Sequence, residues 1–324
     1  MKIGIALALT VVLASCEGRQ SVLSPAGRDA EVLANLFWWM LGGAVVLWLF
    51  VNGLMLYFSR IRRKRHSLRV AQWFIFMCGV VLPTTVLAGL LIFALREMPQ
   101  QREPGEGLTL RVTGESWWWR VEYWPDGADE PVTTANEIRL PAGSRSEIEL
   151  AANGVIHSFW IPALGGKTDM IPGRVNRMSL EPTAPGTYRG QCAEFCGLSH
   201  AHMALEAVVM APEEFERWLG AEARDARAPE GAEAKRGKQL FLSQGCGGCH
   251  TVRGTPATAR VGPDLTHLGG RKSLAAGMLP MDRQSLVGWL SAPESIKPGV
   301  NMPGYDHLPP ADLQALAAYL EGLT

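Results

Sequence analysis

Twelve residues, Cys192-Ala-Glu-Phe-Cys196-Gly-Leu-Ser-His200-Ala-His202-Met203, gather two thiols, two imidazoles, a carboxylate and a thioether. This is a ligand set for soft metals. Thiolate and thioether sulfur select copper over hard cations, and neutral imidazole completes a copper or a zinc site. Two cysteines flanking Ala-Glu-Phe can bridge two metal ions rather than share one, with His200 and a distant histidine capping the ions from the sides. His157, in Gly154-Val-Ile-His157-Ser-Phe-Trp160, is the best distant candidate, because an unpartnered imidazole is costly in an apolar segment. Two other chemistries compete. A Cys192–Cys196 disulfide would strain a short loop and leave His200 and Met203 without a role. Zinc suits Cys and His, but methionine is an unusual zinc ligand.

A second constellation stands near the C-terminus, Cys246-Gly-Gly-Cys249-His250. Two thiols and an imidazole at this spacing can tether both vinyl groups of a haem and ligate its iron. A thioredoxin-like redox pair would need a βαβ setting, whereas the flanks read as short helices. Gly262-Pro263-Asp264-Leu265 resembles the segment of class I cytochromes c whose proline carbonyl receives the axial histidine's other N–H and fixes its orientation. Asn301-Met302-Pro303 resembles the segment that supplies the sixth ligand. A Met/His pair raises the iron's potential and suits electron transfer rather than oxygen chemistry. Met278 and Met281 compete for that position, but neither sits in a Met-Pro-Gly context, and His267 reads as a surface residue. Of the six cysteines, two fall in each constellation. Cys78, in an apolar run, reads as an inert small hydrophobe, which leaves Cys16.

The elements that must position these groups follow from four changes of composition along 324 residues of zero net charge. Residues 1–15 have the shape of a signal peptide, too short to span a bilayer. Their end, Leu13-Ala-Ser-Cys16, resembles the bacterial lipoprotein cleavage box, which would leave Cys16 as a lipidated N-terminus ahead of an outer segment, 16–34. A transmembrane helix hairpin is expected over 35–98, from apolar runs Asn35–Phe58 and Trp73–Leu95. Arg60-Ile-Arg-Arg-Lys-Arg65 and Arg69 lie between them, so the connecting loop is cytoplasmic and both chain ends face outward. Trp38, Trp39 and Trp73 fit interfacial anchors, and Pro83 is a candidate kink. Alternation in Leu108–Thr113, Glu137–Leu140 and Glu147–Leu150 predicts strands of an antiparallel, all-β, cupredoxin-like sandwich over 99–219, closed by a short helix from Pro212. Residues 220–234, rich in Ala, Glu, Arg and Gly, read as a flexible tether to a small all-α class I cytochrome c domain over 235–324.

Taken together, the chain resembles cytochrome c oxidase subunit II with a C-terminal cytochrome c fusion, the caa3-type arrangement, over nearly all its length. The resemblance implies a binuclear copper A centre on His157, Cys192, Glu194 through its carbonyl oxygen, Cys196, His200 and Met203, with His202 outside the set. It implies one covalent haem c on Cys246 and Cys249, with His250 and Met302 axial. Gly114-Glu-Ser-Trp117-Trp118-Trp119 looks like the aromatic stretch whose first tryptophan, Trp117, receives electrons from cytochrome c; Trp118 and Trp119 read equally well as core. The segment from Leu164 to Arg174 resembles the one that meets subunit I, with Asp169 and Arg174 toward haem a. The Glu194 carboxylate would face a magnesium ion shared with subunit I, a hard cation suited to oxygen ligands. One departure stands out. The family's Leu-Glu-Ile-x-Trp-Thr stretch, whose glutamate serves proton uptake, is here Leu68-Arg69-Val-Ala-Gln-Trp73-Phe, without a carboxylate.

The function this implies is electron input to a respiratory terminal oxidase: fused haem to copper pair to haem a of subunit I, where oxygen is reduced to water with proton translocation. The implied partners are subunit I and other oxidase subunits, the lipid bilayer, and cytochrome c or quinol–cytochrome c reductase as donor, with no nucleic acid. The location is the bacterial inner membrane, metal domains outward. The electron-input subunit of a copper A nitric oxide reductase would share both metal sites. A periplasmic copper-binding or copper-delivery lipoprotein would need neither the haem motif nor paired membrane helices.

Overall fold

The computed structural model describes residues 17–61, 67–97, 103–105, 108–125 and 127–324. The leader, Cys16 and residues 62–66 of the basic stretch lie outside them. The chain forms two compact units, Val32–Glu103 and residues 17–31 with Pro104–Thr324.

In the first unit, helix Arg28–Leu56 passes into a π-helical turn, Tyr57–Ile61, and Ser67 caps a second rod by accepting from the Val70 amide. These rods, Arg28–Ile61 and Leu68–Glu97, are 34 and 30 residues long, long and apolar enough to cross a bilayer. Trp39, Val46, Trp48, Trp73 and Leu87 stand exposed on them, an apolar surface suited to lipid. Pro83 has no N–H to continue the ladder. The chain widens just before it, in the π-helical turn Met77–Val81, where the Leu82 amide reaches back to the Met77 carbonyl.

The second unit holds a two-sheet sandwich. Its strands are β1 (Thr109–Gly114), β2 (Trp119–Trp124), β3 (Val132–Ala135), β4 (Glu137–Pro141), β5 (Ser146–Ala152), β6 (His157–Trp160), β7 (Thr168–Met170), β8 (Asn176–Leu180), β9 (Gly186–Cys192) and β10 (Ala204–Met210). One sheet runs β3-β2-β1-β5-β8 and the other β4-β10-β9-β6-β7. Period-2 alternation sends Trp119, Val121 and Tyr123 of β2, and Ile148 and Leu150 of β5, into one core with Phe159, Leu205 and Phe215. The sheets are mixed rather than wholly antiparallel: β1 pairs β5 in parallel, and β4 pairs β10 in parallel. The chain leaves the first sheet at β4 and returns at β5, so β5 re-enters beside β1 in the same direction.

Helix Pro212–Glu222 closes the sandwich, placing Phe215 and Trp218 against Tyr123. The 220–234 stretch is not a free tether. Arg253 donates to the Glu222 and Arg224 carbonyls, the Ala226 amide bonds the Arg253 carbonyl at 3.1 Å, and a helix begins at Gly231. His267 also departs from its surface reading. It is 8% exposed, with Nε2 donating to the Arg224 carbonyl at 3.1 Å. The C-terminal domain packs helices Gly231–Ser243, Arg283–Ser291 and Pro310–Glu321 around Phe241, Leu286, Leu290, Leu316 and Leu320. Gly237 lies against the Ala315 carbonyl with no room for a side chain, which lets the first and last helices cross closely.

Candidate metal centres

Two strand ends and one loop build the first site. His157 opens β6, Cys192 closes β9, and ladder pairing sets Phe159 opposite Cys192. The loop to β10 folds back on itself, with the Cys192 amide on the Met203 carbonyl at 2.8 Å and a 3₁₀ turn at His200–His202. The donor atoms converge. Cys192 Sγ lies 3.7 Å from Cys196 Sγ, 3.7 Å from His157 Nδ1 and 3.2 Å from the Glu194 carbonyl oxygen. Cys196 Sγ lies 3.5 Å from His200 Nδ1 and 3.9 Å from Met203 Sδ. Each thiol thus has its own imidazole, and the two sulfurs share the centre.

His157, Cys192, Cys196 and Met203 are all buried, and His157 Nε2 has no hydrogen-bond partner among the described residues. The hydrogen bond with Cys196, helped by His157 and backbone groups, draws the Cys192 thiol down to about 3. The same hydrogen bond, then burial, pushes Cys196 up. The two sulfurs resist double ionisation, and a cation between them supplies the charge that lets both be thiolates. Two thiolates, two imidazoles, a thioether and a carbonyl fit a pair of copper ions. His202 is half-buried, its Nδ1 without a hydrogen-bond partner among the described residues, and the Glu194 side chain is exposed. Asp169 and Arg174 are exposed, Asp169 lying 3.4 Å from Lys167.

The second site is built by one tight turn and its return. The Cys249 and His250 amides both bond the Cys246 carbonyl, at 3.1 and 3.0 Å, so the motif is wound into a single turn. His250 Nδ1 donates to the Pro263 carbonyl at 2.7 Å, which fixes the ring and leaves Nε2 available to a metal. A Cβ on Gly262 would fall 2.6 Å from His250 Cε1, so this position must stay without a side chain. Burial lowers the His250 pKa, favouring the neutral form a metal needs. Cys246 and Cys249 are free thiols, and Tyr305 Oη lies 3.8 Å from Cys246 Sγ. Met302 and Met281 both pack half-buried against this domain's core, while Met278 follows Gly277 at the edge that meets Ala204 of the sandwich. Paired free thiols, an oriented imidazole and methionines packed against the same core fit a covalent haem.

Residues 125–210 match the family described as cytochrome c oxidase subunit II, periplasmic domain, and residues 234–324 match cytochrome c. Cytochrome c oxidase subunit 2 of Alkalihalophilus pseudofirmus is 31% identical over 331 residues, covering 97% of this chain and 94% of the relative. The chain belongs to the cytochrome c oxidase subunit 2 family. The subunit 2 of Bacillus subtilis is 34% identical over 232 residues, 68% of this chain and 64% of that one. The crystal structure of the periplasmic domain of subunit II of the Bradyrhizobium japonicum cytochrome oxidase covers 36% of this chain and 92% of its own, at 31% identity and a TM-score of 0.33. The protein is an oxidase subunit II carrying a cytochrome c domain, and these two domains imply copper A and haem respectively.

Within this subunit II, Trp117 lies at the seam between the two sites. Its Nε1 donates to the Cys196 carbonyl at 2.7 Å, and its ring is flanked by Gly197 and Gly299. Trp119 is core, edge-on to Phe159 at 5.7 Å, and Trp118 carries the Arg120 guanidinium over its ring. Sequence reasoning passed over three residues that shape the sites. Gly114 makes room for His157, and Lys297 and Ser199 join the domains. No local pattern marks them; a lysine before Pro-Gly reads as solvent-facing.

Proposed function

We propose that this chain is the electron-input subunit of a caa3-type haem–copper oxidase. His157, Cys192, the Glu194 carbonyl, Cys196, His200 and Met203 would hold the copper pair; Cys246, Cys249, His250 and Met302 would hold the haem. Bound there, these groups supply one-electron redox chemistry between a cytochrome donor and haem a of subunit I, where oxygen is reduced with proton translocation. The chain's own residues set the geometry. The buried, loop-locked sulfurs allow little rearrangement around the copper pair, and the Pro263 carbonyl holds His250 in one orientation.

One observation carries the reading. The Trp117 ring is bonded to the backbone of a proposed copper ligand on one side and packed against the haem domain's Gly299 on the other. An indole in that position joins the two sites through a single side chain. The exposed Asp169, Arg174, Phe195 and Glu194, all near the copper end, would face subunit I, with the Glu194 carboxylate toward its magnesium. The two apolar helices would place both metal domains outside the bacterial inner membrane. Trp117→Phe keeps an aromatic ring, though a smaller one, and removes the N–H bond to Cys196. Flash-induced haem-to-copper transfer in the intact complex should slow, with both metals loaded. An unchanged rate would mean that electrons reach the copper site by another face.

A further inference from the structure

The haem domain is docked on the sandwich by a buried lysine. Lys297 is 2% exposed, and its ammonium donates to the Trp117 carbonyl at 2.6 Å and to the Ala275 carbonyl at 3.1 Å. One acceptor is on the sandwich and the other on the haem domain. Burying an ammonium is costly unless its donors are satisfied. Here burial pushes the Lys297 pKa down to about 7. Separation of the domains would strip off the cross-domain bond. The residues that follow continue the seam: Ser199 Oγ donates to the Pro298 carbonyl at 2.6 Å, and the Ala204 amide bonds the Ala276 carbonyl at 3.0 Å.

Gly299 then comes down on the indole. Its φ is +83°, and a Cβ there would lie 2.8 Å from Trp117 Cη2. On the sandwich side Gly197, with φ +112°, approaches the same ring, a Cβ falling 3.0 Å from Cζ2. The indole is clamped between two backbones and left 9% exposed.

We propose that Lys297 is a positioning residue for haem-to-copper electron transfer: by bonding the Trp117 carbonyl it holds the 297–300 turn of the haem domain on the indole and closes that ring to any separate donor. This rests on the function proposed above. It assigns soluble donors to the outer surface of the haem domain, since the aromatic route to copper is occupied from within the chain.

The test uses the intact oxidase with Lys297→Met, which keeps an unbranched apolar stem of nearly the same length and removes the donors, and with Gly299→Val, which pushes the turn off the ring. Haem-to-copper transfer after a flash should slow several-fold, because the path between the two sites lengthens when the turn leaves the indole. Copper and haem spectra should be unchanged. Amides in 195–200 and 297–300 should exchange hydrogen faster than in the parent, a readout independent of turnover. Direct reduction of copper by an added soluble cytochrome should appear, second-order and weakened by salt. Parent-like transfer and exchange in either variant, with its spectra intact, would overturn the role of Lys297. A parent chain with both metals loaded but no transfer between them would instead sink the underlying reading of electron transfer.

Discussion

Gly114 stands where any side chain would strike His157: a Cβ built there lies 2.7 Å from the ring's Cδ2 and 2.8 Å from Cγ. Trp119 walls the same imidazole, its ring centroid 6.3 Å away. The orientation of this imidazole is therefore set by a missing side chain at the end of one strand and a large one at the start of the next.

Gly114→Ala should tilt the His157 ring away from Cys192. The expected cost is about 1–3 kcal/mol for overpacking a tight site, read as a lowered melting temperature. The copper absorption and paramagnetic spectra should change while the haem spectrum does not. A parent-like copper spectrum would mean that the ring has room to yield.

Cys196→Ser should collapse a two-copper centre, because a hydroxyl is too hard and too weakly acidic to bridge. Copper per chain should fall, and the mixed-valence signal should vanish. Haem attachment at Cys246 and Cys249 should survive, since those residues lie in the other domain, Cys246 packed against its core and Cys249 exposed. Two retained coppers with an unchanged signal would refute the bridging role.

Met302→Ala should leave covalent haem with an altered sixth position and a shifted potential. Met281 packs against the same core, so Met281→Ala is the decisive control. If it gives the spectral change and Met302→Ala is silent, the axial residue is Met281; Met278→Ala settles the remaining case in the same way.

Glu149 lies between Arg111 and Arg177 in ladder register, with carboxylate contacts at 2.7 and 2.9 Å. The hydrogen bond from Arg111, then its charge and that of Arg177, hold the Glu149 pKa below the ordinary 4.5. A depressed carboxylate stabilises the fold above its unfolded pKa, and that contribution is lost as pH falls through the folded value. Glu149→Gln should cost under about 1 kcal/mol at neutral pH, the pair being partly exposed. The gap between parent and variant should close below pH 4.5, as acid unfolding curves would show. A constant gap down to acid pH would rule out the charge as its source.

How far the sequence could be read depended on whether a feature was local. The Cys192–Met203 loop and Cys246–His250 announce themselves because their candidate donor groups sit within a few residues, and His157 was reachable because an imidazole in Val-Ile-His-Ser-Phe needs a partner. Strand alternation exposed the sandwich. It could not show that β1 and β5 run parallel, since direction depends on where the chain crosses between sheets. The 220–234 stretch looked loose because it lacks an apolar face. It is held instead through main-chain carbonyls gripped by Arg253, a bond that composition does not register. Lys297 and His267 were hidden for the same reason: each is buried by partners distant in sequence.

The parallel pairing of β10 with β4 sets Glu206 opposite Glu137, and the residues between them include every proposed copper ligand. Contacts between such distant segments form late, because the intervening chain must surrender its freedom first. Cys192 and Cys196 precede in the chain the strand that completes their pocket, so both thiols are made before that pocket can close. Until it closes, their reactivity is that of any exposed thiols, governed by access and thiolate fraction rather than by the burial that later shields them.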